Sequence, residues 1–155
     1  MTTPTWSDVR CAQYEFSITI EASRERVWRG LTDQLSDWWL PDFHMLGEDS
    51  IVTLEPEAGG RLFEQSGDQH LLWYTVIAVQ QNESIDLVGY ISPKYGGPAT
   101  TMLNATLNIE SANRTALRIS DSIYGRVSDG LVSSLSSGWQ LLFSDGLKAF
   151  VERGD

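Results

Sequence analysis

SDGLVSSLSSGWQLLFSDGLKAFVE, residues 128–152, is the longest piece of this chain that reads as one helix. Leu131, Leu135, Trp139, Leu142, Gly146 and Phe150 recur at spacings of three and four, which puts them on one buried face. Phe143 and Leu147 widen that stripe, while Ser134, Gln140, Ser144, Lys148 and Glu152 fill the other side. Lys148 and Arg153 suit the negative end of the helix dipole, and Gly154 stops the helix. Gly138 and Gly146 each cost about 1 kcal/mol relative to Ala in a helix interior. Glycine admits close approach, so both mark places where a sheet, or a ligand, comes near the axis. A helix with this stripe needs a sheet to lie on.

The upstream sequence supplies one. Tyr14, Phe16, Ile18 and Ile20 alternate with polar residues, which predicts a half-buried strand over Gln13 to Ile20. Ser23 is a good N-cap, with Glu25 in the first turn of a short helix striped by Val27, Trp28 and Leu31. Leu35, Trp38 and Trp39 sit on a second short helix that Pro41 stops. Strands then follow over Ile51 to Glu55, Arg61 to Gln65, Leu71 to Gln80, Ser84 to Ile91, Thr101 to Glu110 and Thr115 to Ile123. Thr101, Leu103, Ala105, Leu107 and Ile109 share one face of the clearest amphipathic strand. Gly59-Gly60 and Gly96-Gly97 fall in hairpin loops and are turn chemistry, not phosphate cradles.

Short turns force antiparallel pairing, because parallel crossovers need a dozen residues or more. The two helices after the first strand are the one connection long enough to cross from one edge of the sheet to the other. The expected class is α+β, a curved seven-stranded antiparallel sheet wrapped around the long C-terminal helix. A flexible leader over residues 1–10 and one domain over 11–155 complete the expectation.

Composition narrows the partners. The chain has 155 residues, 41% of them hydrophobic, enough for a full core. Eleven Lys and Arg against 21 Asp and Glu leave a net charge of −10, which repels phosphate backbones and anionic headgroups. Neither nucleic acid nor a membrane is therefore an expected partner. Cys11 stands alone, so no internal disulfide or cysteine metal cluster forms. With neither a secretory signal nor a membrane span in the sequence, the expected compartment is the cytoplasm.

Several pieces in this order resemble the helix-grip fold of the START and birch-pollen-allergen superfamily. The closer resemblance is to the family named for the homologue of the heat-shock-protein-90 ATPase activator, grouped with polyketide-cyclase-like proteins. The matching pieces are Ile18 to Trp28, the Trp38-Trp39 pair, Glu55 to Phe63, and Gly138-Trp139 followed by Leu142 and Leu147-Lys148. The resemblance implies a cavity between sheet and last helix that holds an apolar or amphipathic small molecule. It also implies two alternatives, a stress-response module acting on the chaperone and a cyclase or aromatase. The chaperone activator has a separate preceding domain, whereas about ten residues precede the first strand here, so its full role is not expected.

Binding ranks first, with Trp39, Phe43, Phe63, Tyr90 and Trp139 as walls and Asp121 as a polar anchor. Asp121 shares its strand face with Leu117, Ile119 and Ile123, where a carboxylate is desolvated unless paired. It is either a ligand anchor, or even a general acid or base, or a side chain reaching water where the strand frays. Arg61 is a candidate partner, whereas Arg118 alternates to the opposite face. Which of Trp73 and Tyr74 points inward stays open. His44 and His70 lack partners at metal-ligand spacing and read as solvated loop residues, so no metal and no cofactor is expected. An enzyme is the less favoured reading, and a homodimer stays open.

Overall fold

The computed structural model describes residues 2–154. Met1 and Asp155, the outer ends of the expected leader and domain, lie outside the described residues. β1 (Arg10–Ile20) is followed by α1 (Arg24–Asp33), α2 (Leu35–Trp38) and a 3-10 turn at Pro41–Phe43. Next come β2 (Ile51–Leu54), β3 (Arg61–Ser66), β4 (Gln69–Gln80), β5 (Ser84–Ile91), β6 (Ala99–Ser111) and β7 (Arg114–Gly125). The chain closes with α3 (Asp129–Leu141), a π-helical segment (Leu142–Lys148) and α4 (Ala149–Glu152).

All seven strands form one antiparallel sheet in the order β1-β7-β6-β5-β4-β3-β2. β1 and β2 are opposite edges, and α1 and α2 carry the chain between them, as the turn lengths require. Ser23 caps α1, its hydroxyl accepting from the Arg26 N–H at 3.2 Å. Alternation sorts the faces: Leu103, Ala105, Leu107, Leu117, Ile119 and Ile123 are buried under the helices. Ile109 departs from the expected pattern and is exposed, because β6 runs on beyond the covered face over residues 108–111.

The predicted terminal helix is one continuous rod whose middle widens into π geometry. Ser128 caps it, accepting from the Leu131 N–H at 3.1 Å. Within the widened segment, the Ser144 hydroxyl donates back to the Gln140 carbonyl at 2.6 Å, an alternative to regular helical bonding. The two halves pack differently. Leu142, Phe143, Gly146 and Leu147 are all buried in the π segment, whereas Trp139 is the one buried residue of α3. The C-terminal half is therefore seated on the core, and the N-terminal half stands off it.

The two helix glycines divide in the same way. At Gly146 a Cβ would lie 2.6 Å from the Trp38 carbonyl oxygen, so the element that comes close there is the end of α2, not the sheet. At Gly138 a Cβ would meet only the Phe43 ring edge, at 3.6 Å. Gly146→Ala should lower unfolding free energy by about 1–3 kcal/mol, because rigid backbone must move. Gly138→Ala should raise it by roughly 0.5–1 kcal/mol through helix propensity. Urea denaturation of both variants checks the pair, and equal effects would contradict it.

Candidate functional site

The gap under the N-terminal half of the rod is a cavity of about 450 Å³. Leu131, Leu135, Gly138 and Leu142 form its roof, and Tyr74 and Thr101 its floor. Phe43 and Met45 close one side from the segment after α2. Ile91, Ser92 and Tyr95 close the other, at the end of β5 and the 3-10 turn Pro93–Tyr95. Met45, Leu72, Tyr90 and Tyr95 are large apolar residues exposed around its edge, so the space opens to solvent between loops. Apart from Thr101, Tyr74, Trp139 and two serines, the wall is largely apolar.

A bulge in β4 answers which of Trp73 and Tyr74 faces inward: both do. Leu62 pairs with Tyr74 and Phe63 with Leu72, which leaves Trp73 as the extra residue. The two rings consequently sit side by side against the helix, each near Trp139, at 6.4 and 5.9 Å between centroids. Gly89 on β5 makes room for the second of them, since a Cβ there would lie 2.9 Å from the Tyr74 ring. A simple two-residue period along Leu71 to Gln80 cannot reveal this.

Beside the cavity stands an aromatic wedge. Trp39 packs edge-on against Trp73 at 5.4 Å and Trp139 at 6.4 Å, Trp139 stacks on Phe143 at 5.5 Å, and Trp38 meets Phe143 at 6.1 Å. Three of these indoles also donate hydrogen bonds, Trp38 to the Gly30 carbonyl, Trp39 to the Phe43 carbonyl and Trp73 to Glu64.

Of the six residues expected at the site, Phe43, Tyr90 and Trp139 line the cavity. Tyr90 is 71% exposed and belongs to the rim. Trp39 lies in the wedge and not on the wall. Phe63 points to the opposite face of β3, under the Arg61 guanidinium at 4.4 Å, because Leu62 and Glu64 occupy the inner face. Arg61 itself pairs with Glu55 at 2.9 Å and is not a partner of Asp121. Asp121 sits one layer behind the floor.

There the strand does not fray. Asp121 is 2% exposed and is held between β1 and β6. Thr101 Oγ1 donates to Oδ1 at 2.5 Å and the Tyr14 hydroxyl to Oδ2 at 2.8 Å. Burial pushes its pKa up, and these two bonds with the Ser122 N–H offset only part of that rise. Tyr14 and Tyr74 are pushed up as well, by burial and by the nearby carboxylate. Thr101 both lines the cavity and bonds Asp121, and so links the two.

A second buried carboxylate, Glu64, was not legible in the sequence. It is 0% exposed and covered by the loop after α2, accepting from Ser50 Oγ at 2.6 Å, Leu46 N–H at 2.8 Å, Trp73 Nε1 at 3.1 Å and Met45 N–H at 3.2 Å. Burial pushes its pKa up, but the four donors outweigh that and hold it below the ordinary carboxylate value. His44 belongs to the same knot and is not the solvated residue expected. The Ser50 proton goes to Glu64, so His44 Nδ1 donates to Ser50 Oγ at 2.7 Å, with Nε2 3.3 Å from the Trp39 carbonyl. This knot ties down the loop that carries Phe43 and Met45 to the cavity.

Among the described residues, no three His, Cys, Asp or Glu side chains converge as metal ligands. No helix among them is long and apolar enough to cross a membrane. No family model and no curated protein matches the chain. Solved structures do. A conserved protein of unknown function from Enterococcus faecalis superposes with a TM-score of 0.68 at 17% identity, covering 94% of this chain and 74% of that one. DynU16, from the dynemicin biosynthetic locus, gives 0.68 at 20% identity over 92% of this chain and 48% of its own. Ara h 8.0201 gives 0.63 at 10% identity over 92% and 98%. The fold is the helix grip. These likenesses extend to the curved sheet, the long last helix and the two short helices ahead of the second strand.

The two buried carboxylates should titrate with opposite signs. Glu64, depressed in the folded state, contributes stability above its unfolded pKa of about 4.5 that is lost as pH falls through the folded value. Asp121, raised, contributes stability below about 3.8 that is lost as pH rises through its folded value. Glu64→Gln should therefore cost about 1.5–3 kcal/mol near neutrality, and less in acid. The stability of wild type relative to Asp121→Asn should instead shrink as pH rises. Thermal unfolding from about pH 3 to 8 reads both, and parallel profiles would contradict the assignment.

Proposed function

We propose that this protein binds a small, largely apolar molecule in the cavity between α3 and the sheet. The observation that carries the reading is an open, largely apolar space of about 450 Å³ between rod and sheet, floored by two hydroxyls. Pockets of that size and character enclose most of a small molecule's surface, with a few polar groups to orient it.

The narrower kinship with activators of the heat-shock-protein-90 ATPase rests on sequence pieces that have structural work in this chain. Glu55 and Arg61 pair across a turn, and Trp38 seats the rod at Gly146. An ATPase assay with the chaperone tests that kinship separately. A cyclase-like activity would depend on a proton path through Thr101 to Asp121, and Asp121→Asn tests it.

Gly138 offers a clean block, since its Cβ position meets only Phe43 and opens onto the cavity. Gly138→Leu should weaken binding of apolar probes by about tenfold or more without lowering the thermal midpoint. Native mass spectrometry of gently purified protein should show a co-purifying mass that this variant lacks. No tryptophan fluorescence response to a broad apolar panel, with no co-purified mass, would refute the reading.

A further inference from the structure

Beside the cavity lies an indole N–H that meets no acceptor in hydrogen-bond geometry. Trp139 is 6% exposed and lines the cavity, yet its Nε1 has no partner, while the indoles of Trp38, Trp39 and Trp73 beside it are all satisfied. A buried donor left unpaired is costly and uncommon. Trp139 stands beside Tyr74, and its N–H influences the Tyr74 hydroxyl without reaching hydrogen-bond geometry. Tyr74 is itself loosely held. The Thr101 proton is committed to Asp121 at 2.5 Å, so the Tyr74 hydroxyl is left to donate to Thr101 Oγ1 across 3.5 Å, the outer limit of such a bond. Two under-used donors, one from the rod and one from the sheet, therefore sit together beside an apolar space.

We propose that this pair is a recognition site for a neutral, acceptor-only oxygen, a ketone or quinone carbonyl on a flat apolar ring system, held by Trp139 Nε1–H and the Tyr74 O–H. The inference rests on the ligand-binding reading above and specifies its chemistry. The acceptor is a neutral one for two reasons. No Lys or Arg lines the cavity, and the Asp121 carboxyl lies directly behind Thr101. An anion placed there would find no counter-charge, and Asp121 would repel it whenever ionised. An alcohol oxygen can also accept from both, but it brings an O–H of its own that needs an acceptor in an apolar space. A carbonyl oxygen has two lone pairs and accepts from both.

Fluorenone, fluorene and fluorene carboxylate share one ring frame and separate these cases. Isothermal titration should give fluorenone an affinity about fivefold higher than fluorene, the increment of a buried hydrogen bond, with the carboxylate weakest. The bound ketone should show a lowered carbonyl stretching frequency. It should also shift the Trp139 indole N–H resonance, and fluorene should not. Tyr74→Phe removes only the hydroxyl and Trp139→Phe only the indole N–H with its five-membered ring, so each should reduce the ketone preference, read as the fluorenone-to-fluorene affinity ratio within that variant. If either variant fails to fold, the infrared and indole shifts in wild type decide. Equal affinity for fluorene and fluorenone, tightest binding of the carboxylate, or a preference that survives both substitutions overturns the proposal but leaves the binding reading standing. Failure of all three probes to bind overturns both.

Discussion

The structure depends on where the terminal rod touches down. The absence of a side chain at Gly146 lets the Trp38 carbonyl come to what would be 2.6 Å from a Cβ, and the π segment buries Leu142, Phe143 and Leu147 around that contact. Next to it the wedge of Trp39, Trp73, Trp139 and Phe143 fills the space between rod and sheet. Rings of that thickness hold the next two turns of the rod away from the strands. A helix seated at one end and propped in its middle cannot lie flat, and the standing-off half is the cavity roof. Interiors otherwise close to crystal density, so such a gap persists only where rigid groups hold it open.

The polar groups below the rod follow the same economy. Glu64 and Asp121 are carboxylates on the inner face of a sheet, positions where an unpaired charge is expensive. They are tolerated in different ways. Four donors surround Glu64 and favour its charged form, which turns a liability into an anchor for the loop beside the cavity mouth. Asp121 has fewer donors, and its environment favours the neutral form. One carboxylate holds the wall and the other polarises the floor through Thr101.

Much of this could be read from the residues. The period of the last helix, the alternation in β1, β6 and β7 and the short turns between strands lead directly to a seven-stranded antiparallel sheet with a covering helix, because each depends on local pattern. The inward placement of Asp121 followed from alternation as well. The errors arose where tertiary bonding overrode pattern. Phe63 reads as a wall residue because it is aromatic, and only the four donors to Glu64 reveal that the glutamate beside it turns inward instead. The shared face of Trp73 and Tyr74 depends on a bulge, an extra residue with no mark of its own in the sequence. His44 lacks sequence neighbours that could be ligands, and its partners, Ser50 and the Trp39 carbonyl, meet it only because the loop folds back. Trp39 is in the right region but one layer too deep.

Superposition on proteins of at most 20% identity shows how little of the sequence the helix grip constrains. In this chain the filling between rod and sheet is a half-space of indoles next to a half-space left open. Ligand binding depends on that open half. Crystals of the protein pressurised with xenon test it most directly, since xenon enters apolar cavities without needing specific contacts. The account predicts xenon density between Leu135, Trp139 and Tyr74 with α3 unmoved. An α3 lowered onto the sheet, with those side chains in mutual contact and no xenon between them, would contradict it.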